Sequence, residues 1–335
     1  MRAAQSLVLP AMKRRDAIKF LGAAAASQAW PLSGLGQSRK KIGFLYPGLS
    51  GPGNMRLQAF REGLRDAGWG DGQIVIEARF AESVAARNAV LAEELIAAKV
   101  DVLVPISFLC VDAARIRTKT VPIVAFDLET DPIGRGIAAT LSRPGGNVTG
   151  VFFDYPDFST KWMELLKETI PRLSKIVVMR DPASASPQLT GIEKVAASMA
   201  VELNLVEVRS LAEFDAAFRS VSERRPDALL ILSSPLFGTS PGRVAELTSH
   251  YRLPTITLFP EFARAGGLMA YGVDLLGAFR QTGGMTGKVL SGAKPAELPI
   301  ERPTKFELVV NAKTAKSFGI ELPTSILLRA DEVIE

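Results

Sequence analysis

Short apolar runs alternate with amphipathic stretches along the chain after about residue 40. Runs such as 41–46 and 100–106 are typical of strands that are buried on both faces of a sheet. Between them, Leu57, Phe60 and Leu64 recur at the spacing of a helix that buries one face. Strands that alternate with helices predict βαβ units and parallel sheets. The sequence therefore predicts an α/β fold.

This alternation occurs in two successive sets. The first set contains predicted strands at 41–46, 74–80, 100–106, 122–128 and 147–153. The second set begins with a helix near residue 158 and contains predicted strands at 175–181, 203–210, 227–233, 254–259 and 267–273. A helix at 274–290, a strand at 306–311 and a helix at 312–318 are left over. We predict two doubly wound parallel-sheet lobes that share these C-terminal elements.

A basic and then apolar segment precedes the first predicted strand. Lys13-Arg14-Arg15 is followed by an apolar run, 18–30, that is shorter than the roughly 20 residues a membrane-spanning helix needs. Small residues, Gly34 and Gly36, then precede Gln37. We expect residues 1–36 to be a signal peptide that is cleaved near Gly36-Gln37. The twin-arginine route and the general secretion route both stay open.

The basic balance of the chain lies mostly in this leader. Five basic residues and one acidic residue give positions 1–36 a net charge of +4, out of +5 for the whole chain. A nucleic-acid partner needs a basic patch on the folded domain, so we expect none. One cysteine, Cys110, and one histidine, His250, predict neither a disulfide nor a Cys/His metal site. We expect a monomer without a metal or cofactor.

The residues that follow the predicted strands are the candidates for ligand binding, because ligands of open α/β sheets bind outside the carboxyl ends of the strands. A serine at a helix start offers a hydroxyl and free backbone N–H groups to a carboxylate. An aspartate can hold an ammonium group, and aromatic rings supply apolar walls. The candidate ligand-binding residues are Ser50, Ser107, Phe108, Asp127, Asp154, Asp181, Ser233, Ser234, Phe259, Tyr271 and Asp274.

Each candidate also has a purely structural interpretation. The serines can be helix caps, Asp181-Pro182 can be a turn, and Phe259 and Tyr271 can be core aromatics. Two lobes that face each other across these edges would nevertheless form a clamp around a small ligand.

Sequence motifs for catalysis are missing. The loop "YPGLSGPGN" after the first strand has the wrong glycine spacing for a dinucleotide fingerprint, and no P-loop motif occurs. We identify no catalytic residue, and an enzyme on a two-lobed α/β scaffold is the least favoured alternative.

Three glycines fall inside the predicted helix 274–290, namely Gly283, Gly284 and Gly287. Each costs up to about 1 kcal/mol against alanine in a helix interior. Close packing against a neighbouring helix and flexibility during lobe movement are both open explanations.

Three segments resemble one protein family: "SRPGGNVTG" at 142–150, "GLMAYGVDL" at 267–275 and the run at 290–335 that contains "LPIERPTKFELVVNAKTAK". They are similar to the ABC transporter substrate-binding proteins often labelled tryptophan/tyrosine-type. The resemblance covers nearly all of 39–335, and it makes Met12 an alternative start to Met1.

The resemblance implies a type I periplasmic-binding-protein fold, in which two lobes joined by three crossovers close on a ligand at a hinge. Lobe 1 would comprise 37–152 plus about 272–302, and lobe 2 would comprise 153–271 plus about 303–335. The helix 274–290 would pack on lobe 1, and the end of the chain would return to lobe 2.

The resemblance further implies a non-enzymatic periplasmic protein that delivers a small polar ligand to the permease and ATPase of an ABC importer. An amino acid or a related carboxylate is the expected ligand. A sensing module for a membrane receptor would use the same clamp and stays open as an alternative. The segment 128–132 departs from the family pattern and adds Glu129 near the predicted cleft.

Overall fold

The computed structural model of the protein describes residues 39–50, 55–153, 158–184 and 188–335. The predicted signal peptide, its cleavage site and the candidate Asp154 lie outside the described residues. Within these ranges, no helix combines the length and the apolar character that a membrane crossing requires.

The first set of elements forms a parallel sheet of order β2-β1-β3-β4-β5. Its strands are β1 Lys40–Tyr46, β2 Ile74–Phe80, β3 Val102–Pro105, β4 Ile123–Asp127 and β5 Val148–Phe152. Helices α1 Met55–Asp66, α2 Arg87–Ala97 and α3 Ser107–Arg117 connect them. This order reverses direction between β1 and β3, which is the switch point where doubly wound sheets bind ligands.

The second set forms a larger sheet of order β12-β11-β10-β9-β8-β6-β7. Its strands are β6 Lys175–Arg180, β7 Glu202–Glu207, β8 Ala228–Ile231, β9 Thr255–Thr257, β10 Met269–Val273, β11 Phe306–Asn311 and β12 Glu332–Ile334. The helices of this part of the chain are α4 Phe158–Thr169, α5 Gln188–Ser198, α6 Phe214–Glu223, α7 Pro235–Gly238, α8 Pro241–His250, α9 Pro260–Arg264, α10 Leu275–Leu290, α11 Ala312–Phe318 and α12 Thr324–Arg329. Strands β6 to β10 repeat the order of the first sheet.

The predicted fold class, two doubly wound parallel-sheet lobes, is confirmed. Three features were not predicted. Strand β11 runs antiparallel to β10, the three-residue strand β12 extends the sheet, and α7, α9 and α12 are additional short helices. Elements of three to six residues contain too few apolar repeats for periodicity to indicate them.

Helix α10 follows β10 of the second sheet but packs on α1 of the first. The contact is close because glycines meet backbone: a Cβ at Gly63 would lie 1.8 Å from the carbonyl oxygen of Arg280, and one at Gly283 would lie 2.1 Å from that of Phe60. The indole Nε1 of Trp69 donates to the carbonyl oxygen of Gly287 at 3.1 Å. Close packing therefore explains Gly283.

This packing gives a test with two adjacent glycines. At Gly284 the nearest atom to an added Cβ is 4.0 Å away, so Gly284→Ala should leave stability unchanged or raise it by up to about 1 kcal/mol through helix propensity. Gly283→Ala should lower the free energy of unfolding by about 1–3 kcal/mol or more, because α1 and α10 must separate. Urea unfolding of the two variants measures the difference, and equal values would contradict the packing account.

Candidate functional site

The carboxyl ends of the two sheets face a shared cavity of about 30 Å³. Hydrogen bonds join the two lobes directly beside this cavity, so the lobes are closed in this arrangement. The apolar part of the lining comes from both lobes and from α10; its members are Ile106, Phe126, Leu128, Phe259, Leu275 and Phe279. The polar side chains of the lining are Tyr46, Arg56, Ser107, Glu129, Ser234 and Thr239.

Ser107 lies at the turn from β3 into α3. Its φ of +73° is in the left-handed region, which residues other than glycine seldom adopt and which is found often at functional sites. The side chain is buried, and its Oγ has no hydrogen-bond partner in the described part of the chain. A buried hydroxyl without a partner is costly, so a ligand atom in the cavity would satisfy it.

Ser234 occupies the corresponding position after β8 in the other lobe. Its Oγ caps α7 by accepting from the backbone N–H of Leu236 at 3.0 Å, and it donates to Asp181 Oδ2 at 3.1 Å. Asp181 Oδ1 accepts from the N–H of Ala183 at 2.9 Å, and burial raises the pKa of this carboxyl. The hydroxyl of Ser234 therefore both caps a helix and lines the cavity.

A pair of buried carboxyls follows β4. Asp127 is fully buried; its Oδ1 accepts from the N–H of Glu129 at 2.8 Å and its Oδ2 accepts from the hydroxyl of Thr130 at 2.5 Å. Glu129 is 4% exposed, and its Oε1 accepts from the hydroxyl of Ser233 at 3.0 Å. Burial raises the pKa of Asp127 to about 6, and burial together with the neighbouring Asp127 raises the pKa of Glu129 well above its usual range.

Arg56 in the first turn of α1 connects the two lobes. Its Nη1 donates to the Tyr46 hydroxyl at 2.6 Å, and its Nη2 donates to Glu261 Oε1 at 2.9 Å and to the carbonyl oxygen of Gly238 at 3.3 Å. Burial alone would lower the pKa of Arg56, but Tyr46 and Glu261 outweigh it and raise that pKa. The guanidinium is a fixed positive charge at the cavity.

Two further hydrogen bonds cross the cleft. The hydroxyls of Ser83 and Thr239 lie 3.3 Å apart, and Ser233 of the second lobe donates to Glu129 of the first. Together with the Arg56 contacts, these hydrogen bonds join the two lobes around the cavity.

The structure brings three of the sequence candidates to the cavity lining: Ser107, Ser234 and Phe259. The carboxyls of Asp127 and Asp181 do not line it, because backbone N–H groups and hydroxyls surround them. Two others lie just behind the lining: Ser233 beside Glu129, and Phe108, whose backbone N–H lies near the Glu129 carboxyl.

The remaining candidates lie elsewhere. Ser50 is exposed in the loop after β1. Tyr271 stacks on Phe158 with ring centroids 4.9 Å apart, because β10 turns this side chain toward α4 and not toward the cleft. Asp274 caps α10 through the N–H of Gly277 at 2.9 Å and pairs with Lys305 at 3.1 Å. These contacts assign Tyr271 and Asp274 structural roles.

Sequence reasoning missed Tyr46, Arg56, Thr239, Leu275 and Phe279. Only residues directly after strands were considered, whereas Arg56 reaches the cavity from a helix start, and Leu275 and Phe279 reach it from the helix that crosses between the lobes. A positive charge in the first turn of a helix, where it is unfavourable for the helix dipole, was the available signal for Arg56.

Comparisons with known proteins agree on the kind of protein. A family model described as "ABC transporter substrate binding protein" matches residues 48–334. A tyrosine-binding protein of Clostridioides difficile (strain R20291) is 25% identical over 79% of this chain and 76% of its own length.

Solved structures of the same kind superimpose on the chain. A Streptococcus pneumoniae ABC domain in complex with L-Trp has a TM-score of 0.81 at 25% identity, over 89% of this chain and all of that one. A ligand-free, open structure of a Clostridium difficile substrate binding protein has a TM-score of 0.63 at 24% identity, over 88% of this chain and 99% of that one.

The carboxyl pair predicts a pH dependence of stability. A carboxyl whose pKa is raised by folding stabilises the protein fully below its unfolded pKa of about 4, and this contribution is lost as the pH rises through the folded pKa. For Asp127 that loss is nearly complete at about pH 6, and for Glu129 it extends to higher pH. Ligand-free Glu129→Gln should therefore match the parent protein at pH 4.5 and exceed its free energy of unfolding at pH 8 by about 1–3 kcal/mol.

Urea unfolding between pH 4.5 and 8 measures this trend. Glu297→Gln is the matched control, because Glu297 is 74% exposed and pairs only with Lys294 in the described structure. Parallel pH profiles of the parent and Glu129→Gln would show that the pair titrates normally.

Proposed function

Because the chain belongs to the ABC transporter substrate binding protein family, we propose that it captures an amino acid or a related carboxylate between its lobes and delivers it to the permease and ATPase of an importer. One observation carries this proposal. A cavity at the facing carboxyl edges combines an apolar wall with a partly buried cation, Arg56, and a buried acid, Glu129. Such a lining matches a ligand that has an apolar side chain and a charged head.

Aromatic amino acids are the first candidates for the ligand. The rings of Phe126, Phe259 and Phe279 and the chains of Leu128 and Leu275 offer apolar surface to a large side chain. Arg56 and the hydroxyl of Ser107 offer donors to a carboxylate. The similarity to a tyrosine-binding protein and to a structure with bound L-Trp supports the same class. Related aromatic carboxylates are the next candidates.

Hinge closure is the proposed mechanism of capture. Direct hydrogen bonds join the lobes around the cavity, so the lobes would separate for loading. Arg56–Glu261, Ser83–Thr239 and Ser233–Glu129 would reform on closure, with the side chains of the wall displaced outward by the ligand.

A binding role and not a catalytic one is proposed. The Ser234 hydroxyl caps a helix and contacts Asp181, and no histidine acts as its base in the described structure. Cys110 is buried, its thiol donates to Asn88 Oδ1 at 3.2 Å, and burial raises its pKa. Neither group has the environment of an activated nucleophile.

We further propose that the protein works in the periplasm as a monomer after removal of residues 1–36. The lobe boundaries we propose are 37–152 with about 272–302, and 153–271 with about 303–335. The packing of α10 on α1 and of β11 and β12 on the second sheet supports this division. The intact mass of the exported protein tests the cleavage site.

Ligand binding is testable by thermal shift. L-tryptophan, L-tyrosine and L-phenylalanine should each be assayed, and at 100 times its Kd the true ligand stabilises the protein by about 2.7 kcal/mol. For a chain of this size that corresponds to a rise in Tm of several degrees. A folded protein whose Tm responds to no amino acid and no related carboxylate would contradict the proposal.

Arg56 is testable by substitution. Arg56→Lys keeps the charge but loses the planar fork that joins Tyr46 and Glu261, so affinity for the stabilising amino acid should fall about tenfold or more. Calorimetry measures the affinity, and small-angle scattering measures the compaction on binding. Arg61→Gln is the matched control, because Arg61 lies on the same helix but pairs with Asp71 at the surface. Unchanged affinity in Arg56→Lys would remove Arg56 from the site.

A further inference from the structure

We propose that Glu129 is the subsite for the ligand's ammonium group and that binding of an amino acid releases one proton from this carboxyl. This inference rests on the proposed function and deepens it: it fixes which end of the ligand meets which lobe element. It also predicts that the protein distinguishes an amino acid from the corresponding carboxylate without the amino group.

The buried carboxyl pair, Asp127 and Glu129, has no basic partner in the described structure. Asp127 is 0% exposed and Glu129 is 4% exposed, yet neither forms an ion pair with a lysine, arginine or histidine across the ranges described. Glu129 lines the cavity, and its Oε2 has no hydrogen-bond partner there. Buried carboxyls are otherwise paired or bound to a cation, so this one is left for a cation that enters the cavity.

Groups from helix α3, from the second lobe and from helix α10 lie around Glu129. Helix α3 contributes the Phe108 N–H, the Cys110 thiol and Asp112, and Asp112 is paired with arginines 115 and 135. The second lobe contributes Ser233, with Asp181 behind Ser234. Helix α10 contributes only apolar groups, Leu275 and Phe279.

Arg56 is the cationic side chain among the described residues of the lining, and Glu261 is its acidic partner. Burial and the charge of Asp127 outweigh the hydrogen bonds from Ser233 and the Phe108 N–H, and they raise the pKa of Glu129. Glu129 thus lies beside a second buried carboxyl and, in the described structure, no cation, an arrangement that favours its protonated form.

Binding of the ligand exchanges a proton for an ammonium group at Glu129. The ammonium group of the ligand approaches Glu129, the carboxylic O–H bond breaks, and the proton passes to solvent. The products are a carboxylate paired with the ammonium group and one free proton, so charge balances. A buried ion pair with the hydrogen bond from Ser233 replaces a buried neutral acid. The ligand carboxylate then points toward Arg56.

Proton-linked calorimetry tests the exchange. L-tryptophan is titrated at pH 7 in phosphate, imidazole and Tris, and the slope of the observed enthalpy against the buffer ionisation enthalpy gives the number of protons exchanged. We expect release of about one proton, and Kd should fall about tenfold for each unit of pH rise while Glu129 is protonated. Indole-3-propionate, which lacks the ammonium group, should bind more weakly and release none.

Variants identify the group that titrates. Glu129→Gln, a neutral isostere, should abolish the proton release and weaken L-tryptophan binding about 10- to 100-fold, while indole-3-propionate binds as in the parent protein. Glu297→Gln makes the same charge change at an exposed position and should leave both ligands unaffected. Circular dichroism and Tm verify that the variants are folded.

The outcomes separate the two proposals. Equal binding of L-tryptophan and indole-3-propionate with no proton release, or proton release that persists in Glu129→Gln, overturns the role of Glu129 and leaves the solute-binding function standing. The second case is that L-tryptophan does not bind, and that L-tyrosine and 3-(4-hydroxyphenyl)propionate do not bind either. That result would contradict both the aromatic amino acid assignment and the inference.

Discussion

Burial of charge between the two lobes is the constraint on which the site depends. Glu129 is buried between the lobes, and the side chains of Arg56 and Glu261 are only 16% and 23% exposed; a buried charge is tolerated only with a partner. Arg56 has Glu261, Tyr46 and a carbonyl oxygen. Glu129 has the Ser233 hydroxyl, the Phe108 N–H and the Asp127 carboxyl beside it, and no cation in the described structure. The cationic group of the cavity therefore has an acidic partner, whereas its acidic group, Glu129, has no cationic partner in the described structure.

These groups keep fixed positions because the elements that carry them are closely packed. Arg56 extends from α1, and α1 is fixed by the close contact with α10 at Gly63 and Gly283. The same helix α10 delivers Leu275 and Phe279 to the cavity wall. A single helix pair thereby positions the buried cation and part of the apolar surface, although α10 follows a strand of the other sheet.

The fold class was predictable because strand and helix periods recur over a hundred residues in each lobe, whereas the order of the strands was not predicted. The site was predictable only in part. Ser107, Ser234 and Phe259 line the cavity because they follow strands, as the switch-point rule requires. Asp127 follows a strand too, but the N–H of Glu129 and the Thr130 hydroxyl turn its carboxyl into the chain's own turn.

Arg56 could not be found by that rule, since a long side chain on a helix reaches a cavity several ångströms from its own backbone. Tyr271 was misplaced for a different reason. Alternation along β10 decides which face a residue occupies, and the sequence does not reveal that Phe158 and Phe306 fill the face that Tyr271 uses. How far a side chain reaches and toward which neighbours a strand directs it both depend on tertiary packing. These two properties account for most of the differences between the predicted and the observed site.

The uneven satisfaction of charge explains how closure can depend on ligand. A ligand shifts the balance between open and closed lobes only by the free energy with which it favours one of them. The Arg56, Ser83 and Thr239 contacts favour closure in the empty protein as well, so they contribute little to that difference. The cost of burying Glu129 beside Asp127 opposes closure until a cation compensates it. The unpaired Glu129 would therefore keep the lobes from closing stably until a ligand with an ammonium group binds.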